Sequence, residues 1–378
     1  MEWSQDPASL FSIPTGISYL NHAYMAPQLR RISEDGMKAI ESKERPWNIG
    51  ANDFFTPVEE LRKEASVILG CTPNCVSLVP SVSYGVGTAA KVLPSKSSGN
   101  ILLLAEQFPS NVYPWLERSK ATGEKVIFVE KSHRNWTEAL LGEISANTSV
   151  IAIPECHWTD GSRINLQQIS AAAKDVGASL VLDLTQSLGA VPFSADAIDP
   201  DFVLAAGYKW LMGPYSLGYM YVAKRHHDKA PMENNWITRK DSHQFAALVD
   251  YGDTYEPGAR RFDVGERSNF FLVPMALAGL RQINQWGVEK IAQGLQFTIQ
   301  QIISEANKRG WRTLSPDEQS PHMTGIRHPD VLPEGLMDGL IKQSVYVSIR
   351  GDSIRVSPHL YTTREDISRL FSALDTLS

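Results

Sequence analysis

The stretch LVLDLTQSLGAVPFSADAIDPDFVLAAGYKWLMGP, residues 180–214, holds most of two strand-sized apolar runs. The first run, 179–182, leads to Asp183, and the second, 201–205, leads to Lys209 ahead of a Gly-Pro turn. Neither run shows regular polar alternation, which indicates strands buried on both faces of a sheet. The stretch therefore predicts a covered sheet with a carboxylate and a lysine just beyond the ends of two strands.

Similar short apolar runs recur upstream and downstream, separated by helical patterns such as NLQQISAAAKDVG. This alternation predicts βα units, an α/β fold and a mainly parallel sheet. In TPVEELRKEASVILG, Thr56 is expected to cap a helix that Pro57 opens and Gly70 closes. The other predicted strands are 76–80, 101–105, 125–129, 150–153 and 217–222.

Beyond about residue 260 the pattern changes to that of a second, smaller α+β domain. One long helical stretch is expected from VPMALAGLRQINQWG through IISEANKRG. Strands are expected near 323–327, 345–349 and 353–356, with a closing helix at REDISRLFSALDTL. The loop 232–261 is interpreted as a long functional or interface excursion.

The size and charge of the chain restrict its class. A length of 378 residues predicts two domains, or one large catalytic domain with a smaller second domain. Hydrophobic residues make up 43% and charged residues 21%, which is typical of a folded globular protein. Because 36 basic residues stand against 42 acidic ones, nucleic acid is a poor candidate partner.

The cysteines and the first residues bear on the compartment. Cys71, Cys75 and Cys156 form no CxxC pair and no cluster with zinc-ligand spacing, so a disulfide scaffold and a metal site are not expected. MEWSQDPASLF lacks a basic start, and no apolar run approaches a membrane span. We therefore expect a cytoplasmic protein with no membrane partner.

Ligands of open α/β sheets bind outside the carboxyl ends of the strands, where Lys209 and Asp183 are predicted to lie. Lys209 is either a surface lysine with a buried stem or a Schiff-base lysine in a partly desolvated pocket. Asp183 is either a turn former or the partner of a pyridine nitrogen, and Gln186 follows three residues later.

Two further strand ends carry candidate ligand contacts. The segment PSVSYGVG, 80–87, leads into a helix, so its N–H groups together with Ser81 and Ser83 could hold a phosphate. It has neither the Walker nor the GxGxxG spacing. Phe108, in EQFPSN, is either a core residue or an aromatic face for a flat cofactor.

Taken together these motifs resemble the class V aminotransferase family of pyridoxal-phosphate (PLP) enzymes, which includes cysteine desulfurases and kynureninase-like members. The family has an Asp-x-x-Gln or Asp-x-x-His block, an Asp-Phe pair and a lysine before a Gly-Pro turn. Here the aspartate and the lysine are Asp183 and Lys209. The resemblance runs from YLNHAYMAP to IRVSPHLYTTREDISRL and so covers nearly the whole chain.

The resemblance implies the aspartate aminotransferase-like fold of PLP-dependent transferases, with a seven-stranded sheet in the large domain. It assigns 1–40 to an N-terminal segment that packs with the small domain and the active site. Residues 41–262 form the large PLP-binding domain, and 263–378 form the small C-terminal domain. A homodimer with the cofactor near the interface is expected.

The resemblance also assigns roles to residues. Lys209 becomes the Schiff-base lysine and Asp183 the partner of the pyridinium nitrogen, both catalytic, while Gln186 bonds the phenolic oxygen. The phosphate contacts are Ser81, Val82, Ser83 and Tyr208, in place of a Gly-Thr-Thr run whose glycine is absent here, with Ser268 and Asn269 lent across the dimer interface. The ring contacts are Phe108, His157 and Trp158, and the substrate contacts are Arg355, Asn21 and His22.

Arg355, in IRVSPH, matches the arginine that grips the substrate α-carboxylate, with a surface arginine on an edge strand as the alternative. No cysteine follows Cys156, so desulfurase chemistry is disfavoured. The prediction is a PLP enzyme acting on an α-amino acid, first an aminotransferase that also uses a keto acid. The alternatives are a kynureninase-like hydrolase, a carbon–sulfur or carbon–carbon lyase and an epimerase of the same family.

Two functions outside PLP catalysis are the remaining alternatives. A catalytically inactive PLP-fold binding module would lack the lysine or the aspartate, and both are present. An NAD-dependent oxidoreductase would be expected to carry GxGxxG, which is missing.

Overall fold

The structure, a computed structural model, describes residues 5–131 and 135–377. Its strands, numbered along the chain, are β1 Ser18–Tyr19, β2 Val76–Val79, β3 Asn100–Leu104, β4 Lys125–Val129, β5 Thr148–Pro154, β6 Ser179–Asp183, β7 Phe202–Ala206, β8 Gly218–Val222, β9 Thr324–Arg327, β10 Val345–Tyr346, β11 Ser348–Arg350 and β12 Ser353–Val356. Its α-helices are α1 Arg30–Lys43, α2 Thr56–Leu69, α3 Val82–Val92, α4 Tyr113–Thr122, α5 Trp136–Glu143, α6 Leu166–Val176, α7 Ala195–Ile198, α8 Leu272–Trp286, α9 Val288–Lys308, α10 Leu336–Lys342 and α11 Arg364–Leu377.

The large sheet has seven strands in the order β2-β8-β7-β6-β5-β3-β4. The pairs β3–β4, β3–β5, β5–β6 and β6–β7 are parallel, whereas β8 is antiparallel to both of its neighbours. This confirms the predicted α/β fold with a mainly parallel seven-stranded sheet. The six co-directional strands present their carboxyl ends at one edge, where ligands of such sheets bind.

Burial explains why these runs become central strands. Every residue of β5, β7 and β8 is buried, as expected for strands covered on both faces. Helices α3 to α7 connect the parallel strands and cover the sheet. The edge strand β4 is partly exposed, because only one neighbour pairs with it.

Two predicted helix details are wrong. Thr56 is the first helical residue of α2 and does not cap it, since Phe55 takes the N-cap position; Gly70 does close the helix, with φ of +59°. The long C-terminal helical stretch is two helices, because Gly287 adopts a φ of +80° between α8 and α9. Such a φ is easy for glycine and unfavourable for residues with a Cβ atom.

The C-terminal part carries a second, antiparallel sheet in the order β11-β12-β9. The strand predicted at 345–349 is divided: β10 pairs in parallel with β1, and β11 pairs with β12. The closing helix α11 lies at Arg364–Leu377 as predicted. A separate hydrophobic core, which includes Leu20, Ile326 and Phe371, joins these elements.

The N-terminal segment reaches across to this second sheet. Besides the β1–β10 pairing, the backbone of His22 donates to the carbonyl of Ser357 at 3.0 Å. Ala26 donates to the carbonyl of Tyr208 at 3.2 Å, beside Lys209. The assignment of 1–40, 41–262 and 263–378 to separate units stays a prediction. Among the described residues, no helix has the length and apolar character needed to cross a bilayer.

A buried ion-pair cluster attaches the chain after residue 262 to the large sheet. Asp263 and Arg62 are fully buried, and their side chains meet at 2.7 Å, with Arg267 bonded to the same carboxylate. Asp263 also accepts the backbone N–H of Leu78, in β2, at 2.8 Å. Burial alone would raise the pKa of Asp263, but Arg62 and Arg267 hold it below its ordinary value.

Replacing this carboxylate should strongly destabilise the fold. In Asp263→Ala the guanidinium groups of Arg62 and Arg267 lose their buried counter-ion, and we expect the free energy of unfolding to fall by about 3–5 kcal/mol. Urea denaturation followed by fluorescence measures the change. The matched control, Asp330→Ala, removes an exposed carboxylate outside this cluster and should stay within about 0.5 kcal/mol of the unmodified protein. Equal midpoints for the two variants would contradict the assignment.

Candidate active site

A cavity of about 240 Å³ lies where the strands of the large sheet end. Nine of the residues predicted to form the site line it: Ser81, Val82, Ser83, Phe108, Trp158, Asp183, Gln186, Tyr208 and Lys209. They follow β2, β3, β5, β6 and β7, whose carboxyl ends lie at the same edge of the sheet. The sheet topology thus gathers side chains that are up to 128 positions apart in sequence, from Ser81 to Lys209.

Lys209 is a buried lysine, so the surface alternative is wrong. Its relative exposure is 8%, and its Nζ lies 5.6 Å from the ring centroid of Phe108 and 5.7 Å from that of Tyr208. Burial first, and the positive charge of Arg355 second, lower the pKa of Lys209 to about 8, while Asp183 opposes this shift. A much larger fraction of the amine is therefore neutral, and nucleophilic, near neutral pH than for an ordinary lysine.

Asp183 ends β6 and faces the same cavity. One carboxylate oxygen accepts the backbone N–H of Thr185 at 3.0 Å. Asp183 therefore also stabilises the turn after β6, which is one of its two predicted roles. Burial raises the pKa of Asp183, and the hydrogen bonds from Thr185 and the charge of Lys209 act against that rise. A buried carboxylate of this kind is stabilised in its ionised form by a cationic or N–H partner.

Gln186 is fixed by two neighbours outside the cavity. Its amide oxygen accepts from the indole N–H of Trp210 at 3.2 Å, and its amide nitrogen donates to the carbonyl of Ala23 at 3.1 Å. Since a carboxamide carries two N–H donors, one remains for a ligand. The orientation of Gln186 therefore depends on the residue that follows Lys209 and on the N-terminal segment.

The start of α3 offers a site for an anion. Ser81 caps the helix by accepting the backbone N–H of Tyr84 at 3.2 Å, and its hydroxyl lies 3.0 Å from that of Ser83. Both serines are exposed to the cavity side. Free N–H groups at the start of an 11-residue helix, joined by hydroxyls, suit a phosphate.

Two aromatic residues form a wall of the cavity. Phe108 is 40% exposed, so the core alternative is wrong. Its ring meets the ring of Trp158 edge to face, at 5.5 Å between centroids, and the indole N–H of Trp158 donates to the carbonyl of Glu106 at 2.7 Å. This wall offers a flat apolar face beside Lys209.

His157 does not line the cavity. Its ring nitrogens lie 2.7 Å from the hydroxyl of Thr159 and 3.2 Å from the carbonyl of Ala105, and its ring stacks on Trp136 at 5.1 Å. Both polar atoms are thus occupied within the protein. These interactions do not support the predicted contact between His157 and the cofactor ring.

Arg355 lies on β12, the central strand of the small sheet, and only 1% of it is exposed. The alternative of a surface arginine on an edge strand is therefore wrong. Its Nη1 donates to the carbonyl of Trp158 at 2.6 Å, which brings the guanidinium to the aromatic wall. Burial and the neighbouring Arg350 lower the pKa of Arg355 to about 9.

Asn21 and His22 lie outside the cavity lining. The carboxamide of Asn21 donates to the carbonyl of Val347 at 3.2 Å and accepts from the hydroxyl of Ser348 at 2.8 Å. His22 is buried and stacks on His359 with centroids 4.2 Å apart; burial lowers its pKa well below the ordinary value. Their contacts connect the N-terminal segment to the small sheet.

Ser268 and Asn269 are likewise absent from the lining within a single chain. The hydroxyl of Ser268 donates to the carbonyl of Phe54, and Ser268 borders a separate cavity of about 680 Å³. Asn269 accepts the backbone N–H groups of Phe271 and Leu272 at 3.1 and 3.0 Å, at the start of α8. A contact with the cofactor from these residues requires a second subunit.

Cys156 is a cavity residue that the motifs did not reveal. Its thiol lies 3.3 Å from the carbonyl of Gln186, only 1% of it is exposed, and burial raises its pKa well above the ordinary value. The thiolate needed for sulfur chemistry is therefore suppressed. Across residues 5–131 and 135–377, no group of three or more histidine, cysteine, aspartate or glutamate side chains has the arrangement of a metal site.

Three known proteins are similar to this chain in sequence. A 24% identical relative, covering 93% of this chain and 91% of its own, is the "Uncharacterized aminotransferase YcbU" of Bacillus subtilis. Isopenicillin N epimerase of Streptomyces clavuligerus is 23% identical, covering 100% of this chain and 98% of its own. Kynureninase of Deinococcus radiodurans is 25% identical, covering 68% and 63%.

Solved structures share the fold. An apo cysteine desulfurase from Thermococcus onnurineus superposes with a TM-score of 0.84 and 17% identity, covering 100% of this chain and 99% of that one. The cystine C–S lyase C-DES superposes with a TM-score of 0.87 and 17% identity, covering 99% and 100%. The family model "Aminotransferase class-V" matches residues 52–370. The chain belongs to the class V aminotransferase family.

Proposed function

We propose that this protein is a PLP-dependent aminotransferase, which moves the amino group of an α-amino acid to a 2-oxo acid. One observation carries the proposal: a single cavity contains the buried amine of Lys209, the buried carboxylate of Asp183, an aromatic face and a helix N-terminus with two serine hydroxyls. An inactive binding module would have no need to keep both Lys209 and Asp183 there. The family to which the chain belongs supports the same cofactor and chemistry.

Each polar group of PLP matches a residue or a helix end at the cavity. The phosphate matches the start of α3 with Ser81, Val82 and Ser83, and the phenolic oxygen matches the free N–H of Gln186. Asp183 suits the ring nitrogen, because a protonated pyridine would add a positive partner in direct contact with this buried carboxylate, which the more distant charge of Lys209 stabilises only in part. The aldehyde suits the amine of Lys209, whose pKa is lowered.

When bound, PLP supplies an electron sink that stabilises negative charge at the substrate α-carbon. The protein supplies binding, orientation and proton transfer. Lys209 would hold the aldehyde of PLP, and its amine, once free, would be the base that takes the α-proton of the substrate. Asp183 keeps the ring nitrogen protonated, Phe108 covers the ring and Arg355 holds the α-carboxylate with its guanidinium fork.

The lowered pKa of Lys209 predicts how PLP capture depends on pH. Only the neutral amine attacks the aldehyde, so below pH 8 the rate of capture by apo-protein should rise about tenfold per pH unit and level off above about pH 8. Stopped-flow absorbance in the visible region measures this rate, and Lys209→Ala should show no band. A midpoint near that of free lysine, or a flat profile, would contradict the assignment.

The aminotransferase proposal is tested by following both products of amino transfer in a panel of amino acids with 2-oxo acids. We expect one amino acid to yield its 2-oxo acid in equal amount to the new amino acid. Asp183→Asn should keep bound PLP yet lower kcat about 100-fold or more, because the amide cannot hold a proton on the ring nitrogen. An unchanged kcat in that variant would refute the role of Asp183.

A kynureninase-like hydrolase is the second candidate. The aromatic wall of Phe108 and Trp158 could stack on an aryl side chain, and kynureninases are among the relatives. In the same panel this activity would give alanine from L-kynurenine without any 2-oxo acid. Release of alanine in place of amino transfer would favour this candidate over the first.

We also propose a cytoplasmic homodimer. Three free cysteines suit a reducing compartment. The loop 232–261 exposes large apolar side chains, including Val249 at 71% and Tyr251 at 92%, which are typical of an interface. In a dimer, Ser268 and Asn269 of one subunit could reach the phosphate site of the other. Sedimentation should give twice the subunit mass of 41.9 kDa, and an active monomer would refute this.

A further inference from the structure

Two arginines of the small sheet meet at one residue of the cavity wall. Arg355 lies on β12 and donates through Nη1 to the carbonyl of Trp158 at 2.6 Å. Arg350 ends β11, and its guanidinium carbon lies 5.4 Å from the ring centroid of Trp158. Trp158 lines the cavity that contains Lys209, whereas the two arginines are not part of that lining. Both guanidinium groups are nevertheless close enough to Lys209 for their positive charges to lower its pKa.

In both arginines the guanidinium edge formed by Nε and Nη2 has no hydrogen-bond acceptor within the described part of the chain. Nη1 of Arg355 is bonded to Trp158, and Nη1 of Arg350 is bonded to the carbonyl of Ile349 at 2.8 Å. The Nε atoms of both arginines are buried and have no acceptor within the described part of the chain. Nε and Nη2 together form a flat pair of donors that matches the two oxygens of one carboxylate. Arg350 and Arg355 can therefore each bind one anionic group through Nε and Nη2.

The charges around these arginines are not balanced. Neither Arg350 nor Arg355 has a carboxylate within ion-pair distance among residues 5–131 and 135–377. Their mutual repulsion adds to burial in lowering the pKa of Arg355, and Arg355 in turn adds to burial at Lys209. Arg355 is buried and Arg350 is half-buried. A cation removed from water without a counter-ion is costly, so an anionic ligand stabilises this arrangement.

The cofactor is not the anionic ligand of either Arg350 or Arg355. In the proposed function its phosphate is held at the start of α3, after β2, and its ring nitrogen faces Asp183. The substrate α-carboxylate occupies the fork of Arg355, which leaves the fork of Arg350 without a ligand. A cation–π contact places that guanidinium over the ring of Trp158, and its Nε–Nη2 edge is not used by this contact.

We propose that the substrate is an acidic α-amino acid, with its α-carboxylate on Arg355 and the anionic group of its side chain on Arg350. This inference rests on the proposed function and names the substrate class of the same site. Amino transfer from this substrate then leaves a 2-oxo acid that keeps the same anionic side-chain group. Arg350 acts as a specificity-determining residue.

Binding of two unreactive ligands to the PLP-loaded enzyme tests the proposal. Glutarate carries two carboxylates and butyrate carries one, and isothermal titration measures the Kd of each. We expect the unmodified enzyme to bind glutarate more tightly than butyrate. Arg350→Met removes the charge and keeps an unbranched stem against Trp158, so it should weaken glutarate roughly 10- to 100-fold and leave butyrate unchanged.

Two further variants complete the design. Arg312→Met removes an exposed arginine next to the same sheet and should alter neither Kd. Arg350→Lys keeps the charge but lacks the fork, so it should weaken glutarate less than Arg350→Met does. If Arg350→Met does not accumulate as folded protein, Arg350→Lys provides the comparison, and a Kd for glutarate equal to that of the unmodified enzyme would refute the proposal.

Three other results would overturn it. Equal affinity of the unmodified enzyme for glutarate and butyrate would show that no second anion site exists. Equal weakening of both ligands in Arg350→Met would show that the two arginines share a single carboxylate. No weakening of either ligand would show that Arg350 has another counter-ion, such as a carboxylate of a second subunit. Failure of the proposed function is distinct, because the protein would then lack the visible band of bound PLP before any ligand is added.

Discussion

The burial of one amine constrains this site more than any other feature. The protein holds Lys209 with 8% exposure beside two aromatic rings and near two arginines, which disfavours its charged form. Asp183 is the acidic side chain across the cavity that offsets this cost in part. The result is an amine that is reactive near neutral pH, and the stable core of the sheet compensates for the energy spent in keeping it there.

The position of this amine depends on elements far apart in sequence. Trp210, the residue after Lys209, bonds the side chain of Gln186, which in turn bonds the backbone of Ala23. The backbone of Gln186 accepts from His322, near the start of the small sheet. The N-terminal segment, the large sheet and the segment before β9 thus meet at Gln186, which lines the same cavity as Lys209.

Much of this arrangement could be predicted from the sequence because buried parallel strands leave a clear signature. β7 is an uninterrupted apolar run, and β5 contains the apolar run 150–153. Asp183 ends β6, and Lys209 lies three residues after β7. The predictions that were wrong concern features that depend on the backbone angles of single residues or on which strands pair. Gly287 breaks a helix that its flanking pattern continues, and residues 345–349 divide between two partners. Arg350, in the polar turn IRGDS, resembles any surface arginine, and only the fold brings it to Trp158.

The central claim is that Lys209 is the residue to which PLP is attached. Reduction of the PLP-loaded protein with borohydride makes the attachment permanent, and mass spectrometry of its peptides then locates the added mass. We predict that the modification lies on Lys209 alone, at one group per chain. Attachment to any other lysine, or an unmodified Lys209 in protein that carries PLP, would contradict the account.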